Sequence, residues 1–112
     1  MKVIIASQEK ITVVKVEGTL DASTLSAFKK ATYPLIEKGN SQWVLDASSL
    51  QFVDSMGLGV LISMLRKVRA RPLGDFKMAG LSADVRSIFE ITRLHRLFDC
   101  TPDVKTALQH FS

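Results

Sequence analysis

The sequence predicts an α/β fold: one domain over residues 1–112, with a mixed sheet of four to five strands and about four helices packed against it. Three observations carry this. Two runs rich in β-branched residues open the chain on either side of a polar turn, which reads as a hairpin. After them, apolar runs of strand length alternate with segments of helical period, the pattern of a sheet that turns parallel beyond the hairpin. Hydrophobic residues make up 46% of the 112, enough for a core without disulfide or metal staples.

The elements follow in order. Val3-Ile4-Ile5 starts the first strand, Gln8-Glu9-Lys10 turns it back, and Ile11 to Val16 forms the second, ending at Gly18. Leu20 to Thr24 leads into a helix with Leu25, Phe28, Tyr33 and Ile36 loosely on one side; Asp21 or Ser23 is placed to cap its start, and Gly39-Asn40 closes it. Trp43-Val44-Leu45 reads as a buried strand. Asp46 to Asp54 reads as a loop, with Leu50, Phe52 and Val53 as apolar anchors. From Ser55 a helix runs to about Ala70, with Met56, Val60, Leu61, Met64, Leu65 and Val68 at helical spacing, and Arg71-Pro72-Leu73-Gly74 stops it. Phe76 to Ala79 is a further strand; Ser82 opens a third helix with Val85, Ile88, Phe89 and Ile91 inward. Phe98-Asp99-Cys100 suggests a last short strand, and Pro102 stands where a final helix to Phe111 begins.

Composition sets limits on function. The single cysteine, Cys100, has no internal partner, which favours a reducing compartment. No apolar run approaches the roughly 20 residues of a membrane span, and the N-terminus turns polar too soon for a signal peptide. The expectation is a cytoplasmic protein with no membrane partner. The net charge of +4, from 15 basic and 11 acidic residues, suits nucleic acid, anionic lipid or an acidic protein alike. Its main concentration, Arg66, Lys67, Arg69 and Arg71, falls at a predicted helix end, where the dipole favours cations. Trp43 and Phe52 read as buried and unavailable for stacking, so direct nucleic-acid binding ranks low.

The residues assemble no catalytic site. His95 and His110 lack metal-ligand spacing to each other or to Cys100, and His95 reads as a solvated or helix-capping histidine. There is no phosphate-binding glycine loop and no oriented nucleophile–base pair, so neither an enzyme nor a cofactor is expected. One segment stands out for another reason. Asp54-Ser55-Met56-Gly57-Leu58-Gly59 places two glycines in the first turns of a strong helix, each costing up to about 1 kcal/mol relative to alanine. Either Asp54 or Ser55 caps the helix while the glycines pack closely on a strand, or another protein approaches the helix start with Ser55 exposed on it; the two are compatible.

Phe52-Val53-Asp54-Ser55-Met56-Gly57-Leu58-Gly59-Val60-Leu61 resembles the signature of bacterial anti-sigma factor antagonists, the STAS-domain family. Gly18 to Thr24 is similar to the family's stretch after the second strand, and Val44-Leu45-Asp46 to the strand before the signature. Met78 to Leu81 with Val85 to Phe89 resembles its fourth strand and third helix, so the likeness covers nearly the whole chain. Met56 is a departure, since many members carry a second serine or threonine there.

The resemblance implies a partner switch. Ser55 would be the phosphorylated serine, the kinase a serine-kinase anti-sigma factor of the histidine-kinase-like ATPase fold, and a metal-dependent serine phosphatase would reset it. Unphosphorylated, the chain would bind the anti-sigma factor and free a sigma factor. Asp21, Asp54, Ser55, Met56 and Gly57 are the expected partner surface. Leu58 and Ile62, one turn apart and off the main core stripe, are candidate apolar contacts, with burial under another helix the equal alternative. A STAS module regulating a non-sigma partner would have the same fold.

Overall fold

A computed structural model describes residues 1–111. Strand β1 (Lys2–Gln8) turns back through Glu9 and Lys10 into β2 (Ile11–Leu20), and the two pair antiparallel from Lys2↔Glu17 to Gln8↔Ile11. Helix α1 (Leu25–Glu37) then leads to β3 (Gln42–Asp46), β4 (Leu50–Val53) and α2 (Ser55–Arg69). The rest is β5 (Asp75–Ala79), α3 (Ala83–Ile91), a 3-10 turn at Leu94–Arg96, β6 (Cys100–Thr101) and α4 (Val104–Gln109).

The main sheet runs β1-β2-β3-β5-β6, parallel after the first pair, and β4 pairs with the end of β2 beyond an irregularity at Gly18 and Thr19. The alternation of side chains sorts the core into two layers. Val14, Val16, Trp43, Leu45, Phe76 and Met78 face α1, α2 and α3, which contribute Phe28, Ile36, Leu61, Met64, Val68, Val85 and Phe89. On the other side Ile11, Val13, Val44 and Ala79 meet Ala107 of α4, with Val104, Leu108 and Phe111 packed around them. Trp43 is fully buried, and its indole N–H donates to the Asn40 carbonyl at 2.8 Å.

The helix ends explain the boundaries. Gly39, at φ +108°, carries its N–H back to the Ile36 carbonyl while Asn40 N–H reaches Leu35, a glycine-terminated C-cap that closes α1. Ser82 caps α3 by accepting the Val85 N–H, and Asp103 caps α4 by accepting the Thr106 N–H, so that helix begins at Val104, two residues beyond Pro102.

Several expectations change. The sheet has six strands, not four to five: residues 50–53, read as loop, are a strand. Its Leu50 and Val53 are buried but Phe52 is 49% exposed, so Phe52 is not an inward anchor. The last strand is Cys100–Thr101 and does not include Phe98, which is buried in the core. Ile91 is 82% exposed. It lies about 200° around the helix from Phe89, at 100° per residue, and so faces away from the core.

Candidate functional site

The site forms where β2 and β4 end side by side. Thr19 pairs with Phe52 and Leu20 with Val53 in parallel register, and Asp54 N–H donates to the Leu20 carbonyl at 3.3 Å. Both strands therefore release the chain at the same edge of the sheet, the carboxyl ends of parallel strands, where open α/β sheets carry their binding sites. The loop 21–24 leaves from one strand and α2 from the other. Two stretches some thirty residues apart in sequence become neighbours.

Asp54 locks them together. Its Oδ1 accepts the Gly57 N–H at 2.8 Å, capping α2, and its Oδ2 accepts the Ala22 N–H at 3.1 Å. Its carbonyl accepts the Leu58 N–H at 2.9 Å. Of the first-turn amides that a helix cannot satisfy internally, those of Ser55 and Met56 remain. Capping is thus the work of Asp54 and not of Ser55. Ser55 is exposed at the first position of α2, and its hydroxyl has no hydrogen-bond partner among the described residues. Met56 beside it is 51% exposed. With Phe52 it puts two large apolar side chains on the surface around the serine.

The loop before α1 is organised by Asp21. Its Oδ1 accepts the Ser23 hydroxyl at 2.6 Å and the backbone N–H groups of Ser23 at 2.9 Å and Thr24 at 3.2 Å; its Oδ2 accepts the Thr19 hydroxyl at 3.3 Å. The Ser23 hydroxyl is the main reason its carboxyl titrates below the usual range; desolvation opposes it, and the Ser23 and Thr24 amides and the Thr19 hydroxyl add to the lowering. Neither Asp21 nor Ser23 caps α1 in the expected way: Thr24 holds the N-cap position without a side-chain cap bond. Asp21 shapes the loop that carries Ala22 to Asp54.

The two glycines of α2 divide. A Cβ on Gly57 would overlap the Leu20 carbonyl oxygen and lie 2.8 Å from Val53 Cγ1, so this glycine lets the helix start press against β2. Gly57 is buried, so of the expected partner-surface residues it is the one that lies beneath the edge. A Cβ on Gly59 would meet nothing within 4 Å. Leu58 and Ile62 are half-buried and pack against the main core, between the two alternatives the sequence left open.

Asp21, Asp54, Ser55 and Met56 therefore share one edge, with Leu58 and Ile62 reached along α2 and Gly57 beneath it. Sequence reasoning missed Ala22, whose contribution is a backbone N–H that no residue type signals, and missed Phe52 as a surface residue. Among the described residues no histidine or lysine is bonded to Ser55, so its hydroxyl is exposed without being activated. Among the described residues no group of His, Cys, Asp and Glu is placed to hold a metal ion, and no helix is long and apolar enough to cross a membrane.

The geometry is that of a single α/β unit with an exposed serine at a helix start on the carboxyl edge of its sheet. The STAS domain family model matches residues 2–107, and the chain belongs to that family. It is 28% identical over 91 residues to the anti-sigma-B factor antagonist of Staphylococcus aureus, covering 81% of this chain and 83% of that one. An anti-sigma factor antagonist from Mycobacterium paratuberculosis superposes with a TM-score of 0.89 at 23% identity, over 98% of this chain and 92% of that one. The Bacillus cell fate determinant SpoIIAA, in its phosphorylated form, gives a TM-score of 0.77 at 18% identity, over 99% of this chain and the whole of that one.

Proposed function

We propose that this chain is a phosphorylation-controlled partner-switching regulator of the cytoplasm, a binding protein and not an enzyme. With Ser55 unmodified it binds a kinase-type anti-sigma factor of the histidine-kinase-like ATPase fold and frees a sigma factor. That partner phosphorylates Ser55 and is released, and a metal-dependent serine phosphatase restores the binding form.

The observation that supports this most directly is the division of labour at α2. Asp54 supplies the cap and the bridge to Ala22, so the Ser55 hydroxyl is left exposed and structurally idle. The names of the similar curated proteins support the same class of partner. A phosphate on Ser55 would add about −1.5 to −2 charge at neutral pH. A helix N-terminus with open amides tolerates that charge, so the fold is expected to survive. An interface closed over Ser55 does not tolerate it: an unpaired phosphate has to be desolvated, and the Asp54 carboxylate beside it adds repulsion.

The test is labelling with purified kinase and ATP. Wild type should take up one phosphate and lose affinity for the kinase, while Ser55→Ala should stay unlabelled and keep binding. Equal labelling of both proteins would remove the proposal.

A further inference from the structure

We infer that Gly59 is the crossing point of the partner, where an acidic segment of the anti-sigma factor lies across the exposed face of α2 with its main chain against that glycine. This rests on the switching role proposed above and says where along α2 the partner sits.

No contact among the described residues accounts for Gly59. Gly57 is explained by the Leu20 carbonyl, but Gly59 is exposed in a helix interior with open space where its Cβ would be. Glycine weakens a helix at such a position, and alanine would fit there without contact. At 100° per residue, Ser55, Gly59, Ile62 and Arg66 fall within about 60° of one another, a single line down α2 in which Ser55, Gly59 and Arg66 are exposed and Ile62 is half-buried. Gly59 stands one turn below the Ser55 hydroxyl and one turn above Ile62. A bare backbone at that point lets another main chain approach more closely than any side chain would permit.

The same line specifies the occupant's chemistry. Ile62 and Leu97, the latter 44% exposed, border a shallow hollow beside α2 with Leu65, Arg66, Arg69 and Ala70. Its apolar lining, Ile62, Leu65, Ala70 and Leu97, suits an apolar side chain of the partner. Helix α2 carries Arg66, Lys67 and Arg69 and no Asp or Glu. Arg69 is engaged by Asp75 at 2.9 Å, whereas Arg66 is exposed and enters no ion pair among the described residues. A carboxylate of the partner is the complement of that free guanidinium. A basic segment would be repelled there.

The probe is the purified kinase that labels wild type and not Ser55→Ala, bound to full-length variants in low and high salt. Gly59→Ala should fold with a thermal midpoint at or above wild type and bind at least tenfold more weakly; Gly59→Leu should bind more weakly still. Arg66→Glu should lower the association rate about tenfold and flatten its dependence on salt. If both Gly59 variants fold and bind as wild type does, the partner does not cross there and the inference falls while the Ser55 switch stands. An unchanged rate for Arg66→Glu removes the acidic character of the occupant. If no kinase labels or binds wild type, the switching role fails and the inference fails with it.

Discussion

Replacing each α2 glycine by alanine should move stability in opposite directions. For Gly59→Ala the added methyl meets no atom within 4 Å, so the change is read as helix propensity and lost freedom of the unfolded chain. The gain is about 0.5–1 kcal/mol. For Gly57→Ala the same gain is opposed by an overlap with the Leu20 carbonyl oxygen and a 2.8 Å approach to Val53 Cγ1. Backbone oxygen in a paired strand cannot swing aside as a side-chain tip can. The start of α2 must instead move away from β2, straining the Asp54 cap and the Asp54 N–H bond to Leu20. Overpacking of this kind costs about 1–3 kcal/mol, and with a rigid neighbour the upper half of that range applies. The net loss is about 1–2 kcal/mol. Urea unfolding with a common m-value should give these two differences, and thermal midpoints should rise by about 2–4 °C for Gly59→Ala and fall by about 4–8 °C for Gly57→Ala. If the two variants shift together in either direction, the packing account of Gly57 is wrong.

Other expectations follow from the same geometry. Ser55→Asp should keep the fold, with stability equal to wild type or higher by about 0.3–1 kcal/mol in urea titrations, because the carboxylate meets open amides at a helix start; a clear loss would make Ser55 a buried structural group. Asp54→Ala should cost about 1–2 kcal/mol and speed hydrogen exchange at the Ala22 and Gly57 amides, the two its carboxylate holds. Acid should weaken the fold through Asp75 and Asp99: burial pushes both carboxyls up, but Lys77 at 3.0 Å, the Phe76 amide and Arg69 hold Asp75 below the usual range, and His110 at 2.7 Å followed by Lys77 at 3.2 Å does the same for Asp99. With folded-state values below unfolded ones, their stabilisation is present above about pH 4 and is lost as pH falls further. Lys77→Met should flatten that acid slope, and an unchanged slope would show that Lys77 does not set it.

How much of this could be read from the sequence depended on the range of the interaction. The period of Val60, Leu61, Met64 and Val68 is local and marks α2, and the closing signal at Gly39 is local too and marks the end of α1. Residues 50–53 escaped because four residues cannot establish an alternation, and their pairing is with Gly18 to Leu20, far away in the chain. The same gap hid the exposure of Phe52. Ile91 reads as inward by its apolarity, but the rotation that Val85 and Phe89 fix turns it outward. Lys77 gave no sign that it would be 7% exposed between two aspartates and 4.6 Å from the Phe111 ring, since no local pattern marks a charge for burial. The resemblance at Phe52 to Leu61 located the site, but which of Asp54 and Ser55 capped α2 required the geometry.

That last distinction bears on the kind of switch the chain can be. Had Ser55 been the cap, adding a phosphate would have removed a bond that holds α2, and modification and unfolding would have been coupled. Asp54 instead ties the helix start to Ala22, and Asp21 holds the loop that presents Ala22, so the edge is fixed by two carboxylates and backbone amides that a phosphate on Ser55 leaves in place. Gly57 reinforces this by seating α2 against the carbonyl of Leu20. A modification on such a platform changes charge and contact at the surface while the frame stays put. Under the proposed role, on and off states should then differ little in shape. The difference in affinity has to come from desolvation and repulsion at the covered serine, which need a partner that closes over it. Under that role the Asp54 hydrogen bonds and the bare backbone at Gly59 act together. The first keeps the hydroxyl in a fixed place, and the second lets another chain come close enough for one phosphate to matter.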